Sequence, residues 1–449
     1  MSNAASNGEG KMSLTAKVIV GLVAGILLGL TINILGLNPA GGFVDTYITN
    51  GLFHVVGKMF VNALKMLVVP LVLFSLICGV CGIGDIKMLG RVGSKSFGLY
   101  ILTTAIAIAV AITVAVISGI GSGMDMATES AFSGREAPPL SQVLIDIIPN
   151  NPINALSEGE MLQIIFFAIL MGVCILMVGK PAKKLVELIE VLNEVMMKMV
   201  TVIMEIAPYA VFCLIAKAMA NLGLALFAQL IGYVVVLIAV LMLHLFVVIP
   251  FILKLFSGLS VTTFLKKARN MQVFAFSTAS SNATIPVTLR TVTERLGVRN
   301  SVGSFTVPFG ATINMDGTAI MQGVATVFIA NIYGVDLGLA GYVTVIMMAV
   351  LASIGTAGVP GVGLIMLSMV FAQVGLPLEG IGLILGVDRL LDMVRTAVNV
   401  TGDAAVSCIV AKSEGKLDES IFNDPKAGVV AGVDIDHDAE KELADVAKG

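Results

Sequence analysis

Five polar or charged residues lie in an otherwise apolar segment near the end of the chain. They are Asp388, Asp392, Arg395, Asn399 and Asp403. Their spacings of 4, 3, 4 and 4 residues place them on one face of a helix, over roughly 22 Å at about 1.5 Å per residue. A charged side chain at the centre of a bilayer costs at least about 2.5–3.5 kcal/mol, so a membrane-embedded stripe of this kind predicts a binding site. Its acceptors suit cations and an ammonium group, and its arginine suits a carboxylate, which favours a transporter for a charged zwitterion coupled to cations.

A second polar segment interrupts the apolar stretch 300–332. The run GATINMDGT, residues 310–318, offers side-chain oxygens from Asn314 and Asp316, and Gly317 relaxes a helix so that backbone carbonyls become free. Hard cations such as sodium prefer oxygen ligands, and unwound backbone supplies them inside a membrane. The segment predicts a cation site, with a kinked helix whose polar groups satisfy one another as the alternative.

Two weaker signals come from hydroxyl groups. The run STASSN, residues 277–282, offers hydroxyls and backbone donors of the kind that receive a carboxylate at the start of a half-helix. Hydroxyls that bond back to helix carbonyls are the alternative. Tyr100, Thr103 and Thr104 share a helical face, which alone indicates little.

The composition is that of a membrane protein. Of the 449 residues, 57% are hydrophobic and 13% are charged, against about 25% charged in soluble domains. The segment before the first apolar run is polar, so we expect no cleavable signal peptide. His54, His244 and His437 are too scattered for a metal site, and the first two are interpreted as helix residues. No nucleophile–base pair or channel-type filter is evident, so an enzyme and an ion channel are disfavoured.

Apolar runs predict eight membrane-spanning segments. They are 15–37, 51–83, 93–121, 160–178, 186–220, 224–257, 300–332 and 380–412. Residues 261–297 and 339–375 are irregular, with Pro286 in the first and a run of Gly and Pro in the second. Each predicts a re-entrant helical hairpin, because non-helical backbone at membrane depth must be buried in protein or line a watery cavity.

The loop charges give an orientation. Basic clusters alternate with connections that hold a single basic residue, Arg135. The clusters lie at 87–95, 180–184, 266–269, 290–299 and 412–416. The positive-inside rule then places both termini in the cytoplasm and makes the two hairpins enter from opposite sides. The segment 1–14, the loop 122–151 and the acidic tail 413–449 lie outside the membrane, and we expect the tail to fray into solvent.

Four motifs resemble the dicarboxylate/amino acid:cation symporter family. They are STASSNATIP, NMDGT, SIGTAGVPG and LDMVRTAVNVTGD, in the family's order, and the resemblance covers about residues 15–412. It implies an all-α polytopic fold in the plasma (inner) membrane and a homotrimer. Scaffold helices would come from 15–83 and 152–223, and a transport domain from 84–121 and 224–412. That domain would move like an elevator, with hairpin 339–375 as its gate.

The resemblance also implies a substrate site. In it, Arg395 grips the side-chain carboxylate of an acidic amino acid, Asp392 accepts from the amino group, and Asn399 and Ser281 hold the α-carboxylate. The full set of substrate contacts is Ser281, Thr318, Val359, Gly363, Asp392, Arg395, Thr396 and Asn399.

Three sodium sites are implied in the same way. The first is Gly310, Asn314, Asn399 and Asp403. The second is formed by backbone oxygens of Thr312, Ser353, Ile354 and Thr356. The third is Tyr100, Thr103, Thr104, Asn314 and Asp316. Sodium is thus a co-transported ion, and the expected partners are an acidic amino acid, membrane lipid and two further copies of the chain, with no nucleic acid.

Departures from the family pattern narrow the function. Ala279 and Met393 stand where archaeal and animal members, respectively, carry an additional arginine, and lacking both is similar to bacterial glutamate symporters. Because Asp403 is an Asn in many proton-driven relatives, its presence favours sodium. We expect a sodium-coupled symporter of glutamate or aspartate. The alternatives are a proton-coupled glutamate symporter, a C4-dicarboxylate symporter and, in another class, a substrate-gated channel.

Overall fold

The computed structural model describes residues 14–81, 89–123, 145, 147–354, 356, 358 and 360–428. The expectations for the N-terminal segment, for most of the loop 122–151, for Val359 and for the acidic end of the tail lie outside these residues. Within them the predicted all-α fold is confirmed, since the only β pairing is an isolated bridge between Val298 and Leu417.

The α-helices follow one another along the whole described chain. They are α1 (Leu14–Ile34), α2 (His54–Cys81), α3 (Ser94–Ser118), α4 (Pro152–Glu158), α5 (Met161–Val178), α6 (Lys183–Met204), α7 (Ala207–Leu243), α8 (Ile249–Ser257), α9 (Val261–Thr278), α10 (Ser281–Arg290), α11 (Asn300–Ile313), α12 (Asp316–Ile332), α13 (Gly338–Ser353), α14 (Val362–Gln373), α15 (Ile381–Ser413) and α16 (Glu419–Asn423). Short π-helical turns precede α2 and α3 and follow α7 and α10.

Four helical stretches of the described chain are long and apolar enough to cross a bilayer. They are Ala16–Ile34, Val44–Cys78, Arg91–Ser118 and Gly223–Ser257. Two other predicted spans differ in kind: 300–332 is broken into α11 and α12, and 380–412 is the single helix α15 with its charged stripe. These two spans hold the charged residues of the candidate site, which lower their hydropathy or interrupt the helix.

The predicted span 186–220 was wrong in its boundaries. The structure has α6, which makes a 119° bend with α5, and then a new helix, α7, that begins at Ala207. Pro208 lies in the first turn of α7, where proline is favoured because that N–H needs no helical partner. The predicted break at 221–223 is present at Gly223, whose φ of 61° and ψ of −144° interrupt α7.

Both irregular regions are helix–turn–helix hairpins, as predicted. In the first, α9 ends at Thr278, Ala279 adopts φ 50°, and Ser280 caps α10 through the N–H of Ala283. In the second, α13 and α14 are joined by the Gly/Pro-rich connection. The membrane side from which each enters remains a prediction.

Helix α1 packs along α7, and α2 packs on α5 and α6. Methyl groups at Gly21, Gly25 and Gly29 would come within 2.4–2.7 Å of carbonyl oxygens of α7, so only glycine permits this approach. The stripe helix α15 packs against both hairpins and against α11 and α12, and it also contacts α7 and α1. The division of the chain into a scaffold and a transport domain stays a prediction.

Residues 414–428, here called the C-terminal strap, fold back onto the first hairpin. The N–H of Asp418 donates to the Gly297 carbonyl at 2.8 Å. Phe422 is fully buried, and the Lys267 ammonium donates to the Ile421 carbonyl at 2.7 Å. The expectation that the tail frays from residue 413 was therefore wrong for this segment, because it carries an apolar anchor.

Polar contacts fix the strap locally. The Ser420 hydroxyl donates to the Asp418 carboxylate at 2.6 Å, and the N–H groups of Ser420 and Ile421 donate to the same oxygen. These hydrogen bonds hold the pKa of Asp418 below its usual range. Asp418 is thus the N-cap of α16.

Candidate functional site

The predicted stripe of α15 is buried in its entirety. Asp388, Asp392, Arg395, Asn399 and Asp403 are each at most 9% exposed, and Arg395 is completely buried. The stripe lies on α15, a helix of 33 residues that packs against both hairpins and against α11 and α12. Because the spacing puts all five groups on one face of α15, they lie in the same interface. The confirmed burial means that each of these groups needs a partner.

Arg395 is held by two carboxylates. Its Nη1 donates to Asp388 Oδ1 at 2.6 Å, and its Nη2 donates to Asp392 Oδ1 at 2.8 Å. The Nε atom has no hydrogen-bond partner among the described residues. The guanidinium is therefore fixed in orientation, and Nε is its one nitrogen without a hydrogen-bond partner among the described residues. Asp388 belonged to the predicted stripe without a substrate role, and its position seven residues before Arg395 was the signal for this contact.

Other predicted substrate residues surround the guanidinium. A methyl group at Gly363 would lie 3.5 Å from Arg395 Nη2 and 3.3 Å from Thr318 Cγ2, so these three positions are neighbours. The Gly361 N–H points to Asp392 Oδ2 at 3.4 Å, which brings the second hairpin onto the stripe. Thr396 donates its hydroxyl proton to the Asp392 carbonyl of its own helix at 2.8 Å, so toward a ligand it offers acceptor capacity.

The tips of the two hairpins touch. The Ser280 hydroxyl and the Asn282 N–H both donate to the Gly358 carbonyl, at 2.7 and 3.1 Å. Ser281, the predicted α-carboxylate contact, is buried beside Gly358. Ser280 was not predicted to have this role, and its position as the N-cap of α10 was the available signal. The two hairpin tips are therefore joined by direct hydrogen bonds.

The predicted break at NMDGT is present between α11 and α12. Asn314 Nδ2 donates to Asp403 Oδ1 at 2.9 Å and to the Asn399 carbonyl at 3.2 Å. The Asn399 side chain accepts from the Gly317 N–H at 2.7 Å. A methyl group at Gly310 would lie 2.4 Å from Asp403 Oδ1, so a side chain there would displace the Asp403 carboxylate. The first predicted sodium set, Gly310, Asn314, Asn399 and Asp403, is thus in contact.

The third predicted set is also assembled. The Thr104 hydroxyl donates to Asp316 Oδ1 at 2.7 Å, and the Thr103 hydroxyl lies 3.3 Å from Oδ1 atoms of both Asp316 and Asn314. Tyr100 directs its hydroxyl to the Thr306 carbonyl at 2.9 Å. All of these side chains are buried.

The second predicted set is less connected. The Thr312 hydroxyl donates to the Phe309 carbonyl, and the Thr356 N–H donates to the Ser353 carbonyl at 3.4 Å. Ile354 lies between the last two in the chain. Among the described residues, no hydrogen bond joins Thr312 to the connection between α13 and α14. The two segments are nevertheless close, because a methyl group at Gly358 would lie 3.0 Å from the carbonyl oxygen of Ala311.

His244 is a site residue that the sequence did not reveal. Its Nε2 lies 3.1 Å from Asp316 Oδ2, and both side chains are completely buried. The two residues are 72 positions apart, so no local spacing connects them. A histidine followed by an apolar run in a predicted span was the only signal.

The donor set indicates the kind of cation that fits. Among the described residues, no group of three or more His, Cys, Asp and Glu side chains could hold a metal ion. The clustered atoms are instead single carboxylates with amide, hydroxyl and carbonyl oxygens, which suit a hard cation. In the structure these groups satisfy one another, as the kinked-helix alternative also predicted, and the same oxygens are available to a cation.

Comparisons with known proteins give one family. The profile of the sodium:dicarboxylate symporter family matches residues 14–413. The chain is 32% identical to the proton/sodium-glutamate symport protein of Geobacillus stearothermophilus over 91% of this chain and 96% of that protein. It is 34% identical to the proton/glutamate-aspartate symporter of Escherichia coli (91% and 94% covered) and 31% identical to the C4-dicarboxylate transport protein of Bacillus subtilis (91% and 95% covered). With this match over nearly its whole described length and the stripe, the hairpins and the NMDGT break in place, the chain belongs to the sodium:dicarboxylate symporter family of membrane transport proteins.

Proposed function

We propose that this protein imports an acidic amino acid, glutamate or aspartate, together with sodium. The observation that carries the substrate class is the buried Arg395 beside Asp392, 2.8 Å apart. A guanidinium recognises a carboxylate, and a carboxylate beside it accepts from an ammonium group. A substrate with both groups satisfies both residues, whereas a plain dicarboxylate leaves Asp392 without a new partner.

Sodium coupling is supported by Asp403 and Asp316. Each is a buried carboxylate at the α11–α12 break, within 2.9 Å of an amide or hydroxyl donor. Because both carboxylates are buried, water does not solvate their charge, and a cation bound among these oxygens would compensate it. The predicted sets around Asn314, which touches Asp403 and Thr103, would share that residue.

We further propose the elevator mechanism, the homotrimer and the cytoplasmic location of both termini in the plasma membrane. In this structure an ion pair between Lys58 of α2 and Glu379, in the turn before α15, joins the two proposed domains. Lys58 belongs to the proposed scaffold and Glu379 to the proposed transport domain. Movement of one against the other would break this pair.

Uptake by the purified full chain in proteoliposomes tests the proposal. Radiolabelled aspartate, glutamate and succinate are compared under an inward sodium gradient, an inward proton gradient and neither. We expect sodium-driven uptake of an acidic amino acid, with succinate a poor competitor. Uptake that follows the proton gradient in sodium-free buffer would contradict the coupling, and preference for succinate would favour the C4-dicarboxylate alternative, which is what one relative's name describes.

A further inference from the structure

His244 begins a π-helical turn, His244–Val248, directly after α7. Its imidazole is completely buried and contacts Asp316, the first residue of α12. A π-helical turn inserts an additional residue into a helix and so re-aims the side chains, and such turns often occur at functional positions. Here the turn directs His244 at the break between α11 and α12.

The two oxygens of the Asp316 carboxylate have different partners. Oδ1 accepts from the Thr104 hydroxyl at 2.7 Å and lies 3.3 Å from the Thr103 hydroxyl. Oδ2 lies 3.1 Å from His244 Nε2 and, because a carboxylate oxygen accepts, Nε2 is the donor. The other ring nitrogen, Nδ1, has no hydrogen-bond partner among the described residues. The histidine thus contributes a single directed hydrogen bond.

We propose that His244 is a positioning residue for sodium binding, which fixes the rotation of the Asp316 carboxylate so that Oδ1 faces the cation site beside Thr103 and Thr104. This role rests on the sodium coupling proposed above. Carboxylates that ligate metals are held by neighbouring groups that do not touch the ion, and loss of such a group typically lowers metal affinity about 10- to 100-fold. Without His244, Asp316 would retain only the contacts on Oδ1 and could rotate.

The alternative is that the pair only joins the end of α7 to α12. Substitutions at His244 separate the two roles. Glutamine reaches with its amide nitrogen about as far as Nε2 and keeps the donor to Asp316. Asparagine carries its amide nitrogen near the Nδ1 position, where the structure shows no partner, and leucine fills space without any donor. A role in orienting Asp316 predicts that only glutamine replaces histidine.

The experiment measures the sodium concentration for half-maximal aspartate uptake in proteoliposomes for His244→Leu, His244→Asn and His244→Gln. We expect about a 10- to 100-fold rise for leucine and asparagine and less than about a threefold rise for glutamine. In an Asp316→Asn background, His244→Leu should add less than about twofold, because the carboxylate it orients is gone. His54→Leu, in scaffold helix α2, is the matched histidine control and should leave the sodium dependence unchanged.

Thermal unfolding of each purified variant without sodium reports packing separately. Equal rises in the sodium requirement for glutamine, asparagine and leucine, in parallel with loss of thermal stability, would overturn the proposal in favour of a structural link. The proposal would also be overturned if His244→Leu had the same sodium requirement as the wild type, and sodium coupling itself would then remain intact. Wild-type uptake without sodium would overturn the coupling itself, and this role with it.

Discussion

Replacement of Arg395 by cysteine is the sharpest test of the substrate site. Arg395 is completely buried and makes hydrogen bonds of 2.6 and 2.8 Å to Asp388 and Asp392. Removing one partner from a buried charged pair costs about 2–5 kcal/mol. At about 1.4 kcal/mol for each factor of ten, this corresponds to a roughly 30- to 4,000-fold loss of apparent affinity.

The structure places the expected loss in the upper part of that range for acidic substrates. Without the guanidinium, Asp388 and Asp392 would face the substrate carboxylate with only the more distant Arg389, 3.9 Å from Asp392, as a compensating cation. Repulsion then adds to the missing hydrogen bonds. A neutral amino acid brings no second carboxylate, so Arg395→Cys should abolish aspartate and glutamate uptake and permit measurable uptake of serine.

Two matched variants serve as controls for Arg395→Cys. Arg389→Gln removes the same charge six residues earlier, from a side chain that is 21% exposed and 3.9 Å from Asp392. The 3.9 Å ion pair is longer than the 2.8 Å hydrogen bond from Arg395 to the same carboxylate, so we expect aspartate affinity to change by less than about fivefold. Asp388→Asn in the Arg395→Cys background removes one uncompensated carboxylate and should raise the yield and melting temperature of the purified protein.

The assay is uptake of radiolabelled aspartate and serine, normalised to the amount of transporter in the proteoliposomes. Undiminished aspartate uptake by Arg395→Cys would refute the assignment of the guanidinium to the substrate carboxylate. An equally severe loss of aspartate uptake in Arg389→Gln would show that uptake depends on the total positive charge near the site and not on Arg395 in particular.

The remaining predictions concern the ammonium site, the cation site and the strap. Asp392→Asn should weaken inhibition by aspartate far more than inhibition by succinate, since only aspartate has an amino group; equal losses in competition assays would make Asp392 structural. Asp403→Asn should raise the sodium concentration for half-maximal uptake at least about tenfold, which is about 1.4 kcal/mol, and saturating sodium should restore substrate affinity. An unchanged sodium curve would exclude Asp403 as a ligand. Phe422→Ala should lose about 3 kcal/mol of packing, seen as faster proteolysis of the strap, whereas Phe422→Leu should lose much less; identical proteolysis of wild type and Phe422→Ala would mean that Phe422 does not anchor the strap.

Much of the site could be predicted because its information is local. The stripe on α15 follows from helix periodicity, since spacings of three and four residues necessarily share a face. The break at Asn314 follows from polar residues and glycine within an apolar stretch. The hairpins follow from the polar run STASSN and Pro286 in one case and from the Gly/Pro run in the other, because such segments do not form one unbroken membrane helix.

What could not be predicted depends on distant partners. The contact between His244 and Asp316 joins two helices that the sequence separates widely, and histidine spacing carries no trace of it. The end of α6 was missed because an apolar run continues through it into α7, interrupted by the single charged residue Glu205, although Pro208 marked the start of the next helix. The folded strap was missed because the tail was judged by its polar and acidic composition, in which a single Phe422 has little effect. Asp418, the N-cap of α16, was a local sign of a helix start.

The C-terminal strap determines where this chain can be shortened or fused. A truncation after Ser413 would keep the whole of α15, yet it would expose the surface that Phe422 covers and take the Ile421 carbonyl from Lys267. A reporter protein attached at that point would have the same effect, whereas one attached after residue 428 would leave the strap intact. The smallest unit that can be expressed as a complete fold therefore ends beyond the strap and not at the last membrane helix.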